Sequence, residues 1–408
     1  MAYLQAHSDS FEITERVEDF GCTPIQRVHK QDFLDYLETA YEEWIQEGGH
    51  PNGVLPATIP HHKIARLGKV KASNLLSKAG EYCFDLSAVI TKGDGNFSLP
   101  LADPWDNSLD ANVNTRKFSP LLLDTFKAAW NAAQITLTAT KDLVRLGEEY
   151  EQSLASGTQS RENPPGLYAL VRPPGHHAQS DVCGGYCFLN NVAIATQWII
   201  DQPELKGKDG KPKKIAVVDV DFHQYGTCFY IVEIDGDTNR KQRTLLLLTL
   251  LSTYRFLFLY FHSGNGTQEI FYSVSNPLYT SMHSADDYPY FTGSALEKGE
   301  GEGLGFNVNI QLPQATTNDD YVEILDTLIK EHVIPFQPDY VIVSLGVDTF
   351  KDDPIAGFLI TSEGYPRIGN SIRKIGVPTL FVQEGGYCVE KLGINVGGML
   401  QGFLGKKP

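Results

Sequence analysis

The chain has 408 residues, with 34 Lys and Arg against 50 Asp and Glu and a formal net charge of −16. A surface that acidic repels phosphate backbones, which argues against sequence-tolerant nucleic-acid binding and favours cationic small molecules. With 42% hydrophobic and 11% aromatic residues against 21% charged, the composition also excludes a disordered chain.

The first twenty residues, MAYLQAHSDSFEITERVEDF, have neither a basic start nor an apolar run, so no secretory signal is expected. Six cysteines form no CxxC pair, and Cys183 and Cys187 read as ordinary buried thiols, so the expected setting is reduced and cytoplasmic. Amphipathic spacing predicts a helix over Lys30–Gln46, and an Ala- and Leu-rich run predicts a second over Thr125–Tyr150. Strands are then predicted at Leu167–Val171, Lys214–Asp221, Leu278–His283, Phe306–Leu312, Tyr340–Leu345 and Thr379–Gln383. Helices are predicted between them at Asn191–Asp201, Asp319–His332 and Ser362–Ile375. Apolar strands interleaved with helices imply an α/β protein with a parallel sheet covered on both faces. Such sheets bind ligands beyond the carboxyl ends of their strands.

Those ends carry the chemistry. The first predicted strand is followed by Arg-Pro-Pro-Gly-His176-His177, and the second closes on Asp219-Val-Asp221-Phe-His223. The fifth runs into Gly-Val-Asp348 and the sixth into Glu-Gly-Gly-Tyr387. Asp221, His223 and Asp348 make an O/N ligand set suited to zinc or ferrous iron, with positions left open for water and substrate. Asp219, Asp221 and His223 alternate, so on a strand they project to one face. A cation there would activate water towards a carbonyl. One imidazole of His176-His177 would then serve as general base and acid, the other as a positive charge, with Asp219 as its support. Tyr387, after two glycines, can donate to an oxyanion. Together these groups suit metal-assisted amide hydrolysis.

The motifs LVRPPGHHA (170–178), GGYCFLNNVAIA (184–195), DVDFH (219–223), GNGTQEIFY (264–272), LGVD (345–348) and QEGGY (383–387) resemble the zinc-dependent histone deacetylase superfamily. Residues 18–44 and DDYPYFTG (286–293) are similar to its acetylpolyamine amidohydrolase branch. The resemblance covers nearly the whole chain. It implies a single three-layer arginase/deacetylase domain with a mostly parallel central sheet. It implies zinc, with ferrous iron as the alternative and a structural monovalent cation besides, held in the zinc case by Asp221, His223 and Asp348. It further implies His176 and His177 as the catalytic pair, Asp219 behind His176, Asn265 behind His177, and Tyr387 on the acetyl carbonyl. Gly185, Tyr186 and Phe291 would line the tunnel for a slim alkyl stem.

The sequence departs from that pattern after His223, where the family runs directly into HGNGTQ. Here Gln224 through Ser263 intervene, including the apolar stretch TLLLLTLLSTYRFLFLYFH (244–262), whose single charge is Arg255. Alone that stretch has the composition of a membrane span. A span there would pull a strand-end loop out of a soluble core. A Gln224 codon CAG and a Ser263 codon AGC or AGT would let a retained intron account for the segment, since splicing would leave one histidine and restore DFHHGNGTQ. Residues 94–123 are a second candidate insert, read equally as an ordered loop for dimerisation or amine recognition.

The resemblance implies removal of acetyl groups from acetylated polyamines or similar small amines, by an enzyme bound to neither nucleic acid nor membrane and forming a homodimer. A histone-type deacetylase is the alternative; Lys206–Lys214 could serve it as a nuclear-localisation patch, but the segment reads better as a solvated loop between helix and strand. A third reading is an inactive deacetylase-like protein, disabled by the insert.

Overall fold

Six short strands pair side by side in the computed structural model, which describes residues 1–49, 53–54, 75–85, 87, 90–91, 125–207, 210–223, 266–285, 287 and 292–406. The strands are β1 (Gly166–Ala169), β2 (Ile215–Asp219), β3 (Leu278–Ser284), β4 (Asn307–Leu312), β5 (Tyr340–Leu345) and β6 (Thr379–Gln383). All pairs are parallel, in the order β1-β6-β5-β2-β3-β4. β2, β3, β5 and β6 lack an exposed position, and β2 and β5 accordingly read as mainly apolar runs rather than alternating ones.

Helices cover both faces. Ala216, Val218, Val341, Val343 and Phe381 face a core closed by the helices Asn318–Leu328, Gly364–Arg373 and Val389–Phe403. Ile215, Val217, Ile342, Leu380 and Val382 face the other way, onto Thr125–Ala155 and Asn191–Asp201. A third cluster joins Gln31–Gln46 and Leu75–Tyr82 to the same long helix through Phe33, Leu37, Ala79 and Leu137. This is the three-layer α/β arrangement expected. β2 sits beside β5, and from there the chain runs one way through β3 and the other way through β6. That neighbour pair is the switch point where a crevice opens at the carboxyl ends.

Three local differences from the sequence reading have physical causes. β2 stops at Asp219 rather than Asp221, because Asp219 Oδ1 accepts the Asp221 amide at 3.1 Å and Asp221 Oδ1 accepts the His223 amide at 3.0 Å. Short carboxylates thus take over the backbone donors a ladder would use. The helix from Asn318 loosens into a π turn at Ile329–Val333 before the Ile334–Phe336 turn, where Pro335 offers no amide. The Val389–Phe403 helix was not predicted, since its glycines and apolar residues carry weak helical signal. The apolar stretch 244–262 and the candidate inserts 224–263 and 94–123 lie outside the described residues. Among the described residues no helix is long and apolar enough to cross a membrane.

Two histidines are buried as neutral bases. His29 accepts the Asn190 amide at 2.9 Å, and burial lowers its pKa to about 4. His283 bridges Ser281 and the Gly293 carbonyl, and burial lowers its pKa to about 3. Both stay uncharged in the folded chain below the unfolded pKa of about 6.5, where the unfolded chain binds the extra protons. Unfolding free energy is therefore unaffected above pH 6.5 and falls as pH drops to about 4, by about 2.7 kcal/mol per unit for the pair. Urea titrations between pH 7 and 4.5 read that slope. An unchanged slope in His29→Gln and His283→Gln would show that other groups set it.

Candidate active site

The loops after β1, β2, β5 and β6 converge at the switch point. The Asp221, His223 and Asp348 side chains are buried, and their ligand atoms all lie within 4.8 Å of one another. His223 Nε2 donates to the Ile355 carbonyl at 3.2 Å, which leaves Nδ1 facing Asp348 Oδ2 at 2.8 Å and Asp221 Oδ1 at 3.5 Å. Backbone amides orient the carboxylates: Phe222 donates to Asp348 Oδ1 at 2.9 Å and Gly385 to Asp221 Oδ2 at 2.8 Å.

Space is reserved around them by missing side chains. A Cβ on Gly346 would lie 2.1 Å from Asp221 Oδ2, and one on Gly385 would lie 2.4 Å from Asp348 Oδ2.

Two carboxylates and an imidazole, buried at this separation with second contacts already made, fit a divalent cation. The electrostatics point the same way. Burial works against the charge on Asp221, yet His176 and His223 outweigh it and hold its pKa below the carboxylate range. Burial and the Asp221 charge push both Asp348 and Asp219 up, and burial with the Asp219 charge pushes Glu384 to about 8. A bound cation would offset this accumulation of buried negative charge.

His176 and His177 stand beside the cluster, both buried, with ring centroids 4.0 Å apart. His176 Nδ1 meets Asp219 Oδ2 at 3.2 Å, and its Nε2 lies 3.6 Å from Asp221 Oδ1. Burial opposes charge on His176, but Asp221 and Asp219 outweigh it and raise its pKa to about 10. The loop itself is clamped from three sides. Glu384 Oε2 accepts the Gly175 amide at 2.7 Å and the His176 amide at 3.1 Å. Thr267, in the helix Gly266–Phe271, donates its amide to the His176 carbonyl at 3.1 Å, and Asn190 Nδ2 reaches Ala178 and Thr267 at 3.0 Å.

Tyr387 is half-buried, 6.0 Å ring to ring from Tyr186. Burial, reinforced by Asp348, lifts its pKa well above the ordinary value, so the hydroxyl keeps its proton. Gly185 and Tyr186 both have positive φ, +55° and +63°, and their amides donate to Asp85 and Ser87 at 3.2 Å each. A Cβ on Gly185 would sit 2.2 Å from His177 Cδ2. Gly185→Ala should therefore shift the histidine, and a displacement of about 1 Å costs on the order of 100-fold in kcat. Turnover alongside circular dichroism checks this, since a folded, fully active variant would mean His177 is not held by that contact.

The structure thus brings together Asp219, Asp221, His223, Asp348, His176, His177, Gly185, Tyr186 and Tyr387. Asn265 and Phe291 lie outside the described residues. The sequence reading gave no role to Glu384 and Asp353, and it read Cys183 and Cys187 as buried thiols, which both are. Glu384 and Cys187 form a second close group with His176, and Cys183 packs its sulfur 3.4 Å from Cys83. The signal for Glu384 was available, as a carboxylate inside the strand-end motif QEGGY. Asp353 offered only an Asp-Pro turn.

The histone deacetylase domain family matches residues 3–227 and 259–402. Acetylpolyamine amidohydrolase 1 of Pseudomonas aeruginosa is 34% identical over 390 residues, 95% of this chain and 84% of its own length. The acetylpolyamine amidohydrolase of Mycoplana ramosa is 30% identical over 387 residues, 94% of this chain and 84% of its own. Among solved structures, the acetylpolyamine aminohydrolase of Burkholderia pseudomallei superposes with a TM-score of 0.68 at 27% identity, covering 98% of this chain and 87% of that one.

Proposed function

The chain belongs to the histone deacetylase family, and from that premise we propose that it hydrolyses the acetamide of acetylated polyamines or similar small amines, with zinc at Asp221, His223 and Asp348. The observation that carries the reading is the buried Asp221–His223–Asp348 group with the tandem histidines beside it. The substrate class rests on likeness to acetylpolyamine amidohydrolases over 95% of the chain and on the net charge of −16, which attracts polycations.

When bound, the cation supplies Lewis acidity to the acetyl carbonyl and lowers the pKa of water. The residues do the rest. His177, packed under Gly185, takes a proton from the attacking water and returns one to the departing amine. His176, tied to Asp219, keeps its proton and steadies the negative charge that develops on the carbonyl oxygen. Tyr387 donates its hydroxyl to that same oxygen. Gly185 and Tyr186 wall the approach, gripping the alkyl stem while the cationic tail stays outside.

Acetate release by the zinc-loaded chain from N-acetylputrescine, an acetylspermidine and an acetyl-lysine peptide tests this. The free amines are expected to exceed the peptide at least about tenfold in kcat/KM, a difference of about 1.4 kcal/mol. The reverse order would make it a protein deacetylase. No release from any of the three, at full zinc occupancy, would remove the enzymatic reading.

A further inference from the structure

Tyr387 follows Gly385 and Gly386, and Gly386 has a φ of +139°, so the strand end alone does not fix where the tyrosine points. The peptide is fixed instead by another loop. Asp353, 6% exposed, accepts the Tyr387 amide at 2.7 Å and the Cys388 amide at 3.1 Å through the same oxygen, Oδ2. Its other oxygen accepts the Ile355 amide at 3.2 Å, and its own amide is held by the Phe350 carbonyl at 2.9 Å. Cys388 is the cap residue of the Val389–Phe403 helix and makes no side-chain cap bond, so a carboxylate from β5's loop occupies the positive end of that helix. Two residues on, the Ile355 carbonyl receives His223 Nε2 at 3.2 Å.

We propose that Asp353 is a positioning residue for Tyr387: its carboxylate sets the tyrosine's peptide, while His223 keeps its own bonds to Asp348 and the Ile355 carbonyl. The proposal rests on the amide-hydrolysis reading, in which the Tyr387 hydroxyl meets the substrate oxygen. Losing the tether lets the tyrosine drift while leaving the tunnel and the metal ligands in place, so kcat suffers and KM does not. Because Asp353 acts through Tyr387, its removal costs little once the hydroxyl is already gone.

The test compares the full-length chain with Asp353→Ala, Asp353→Asn, Tyr387→Phe and the double variant Asp353→Ala/Tyr387→Phe, on the best acetylated amine. Asp353→Ala is expected to lower kcat about 100-fold with KM within about threefold and zinc content equal to the parent. Asp353→Asn, which keeps one acceptor oxygen, recovers about tenfold of that loss. In the Tyr387→Phe background the alanine costs less than about threefold more. Full additivity in the double variant, or no recovery by asparagine, overturns the proposal. Hydrogen exchange at the Tyr387 and Cys388 amides reads the tether without any turnover: at least about tenfold faster exchange in Asp353→Ala supports it, and unchanged exchange sinks it. A parent chain without turnover would count against the hydrolase reading, and the exchange result would still decide the role of Asp353.

Discussion

Stripping the metal with a chelator is expected to take acetate release to background, and zinc is expected to restore it. The physical reason is the donor set: Asp221, His223 and Asp348 bring buried ligand atoms within 4.8 Å, with amides and the Ile355 carbonyl already occupying their other sides. Asp221→Ala removes the ligand that the amides of both Gly385 and His223 orient. It should lower kcat/KM on the order of 10⁴-fold or more, as expected when an essential group of a concerted site is lost. Metal also stabilises the fold by linkage, by about 2.7 kcal/mol at a free concentration 100 times its Kd. Thermal melts with and without chelator therefore shift together with activity. A chelated protein that keeps both its melting temperature and its turnover would show that these three residues hold no working metal.

Replacing Gln224–Ser263 by a single histidine is expected to raise kcat/KM by about 100-fold or more and to improve solubility. The family match breaks off at residue 227 and resumes at 259, inside the interval where the sequence departs from DFHHGNGTQ, whereas it runs unbroken through 94–123. The residues on either side of the interval serve one site. His223 belongs to the metal group, and Thr267 donates to the His176 carbonyl at 3.1 Å, while a Cβ on Gly266 would lie 2.1 Å from the Ala178 carbonyl oxygen. The chain must leave and re-enter within the reach of the tandem histidines, where a displacement of about 1 Å is costly. Closing a longer loop costs little by itself, since the penalty grows slowly with length. The apolar content of 244–262 is the heavier burden, because such a run exposed in water favours association. Side-by-side turnover and size-exclusion of the two chains checks this. Equal activity and equal solubility would make the segment a tolerated loop and dispose of the retained-intron reading.

Much of the site was legible because its residues sit at the ends of strands that announce themselves. A buried parallel strand such as Tyr340–Leu345 is a mainly apolar run, interrupted only by Ser344, and the polar residue that follows it, here Asp348, lies at the carboxyl edge. His176-His177, Asp219-Val-Asp221-Phe-His223 and Tyr387 stood out on that ground. The supporting carboxylates did not. Asp353 is an ordinary turn residue by sequence, and its bond to the Tyr387 amide joins positions 34 apart along the chain. Glu384 could be read as part of QEGGY, but its two bonds to the Gly175 and His176 amides span more than 200 residues.

The sequence by itself determined which residues are available and to which edge of the sheet they go, because strand period and strand ends are local properties written in runs of a few residues. Tertiary structure alone decided the strand order that sets β2 beside β5, and with it the meeting of Asp221 and His223 with Asp348 across more than 120 positions. It also decided that His176 faces Asp219, that Gly185 must lack a side chain so that His177 fits, and that a carboxylate from one loop holds the tyrosine of another. Those are packing outcomes, set by which apolar faces bury together, and no short run of sequence encodes them.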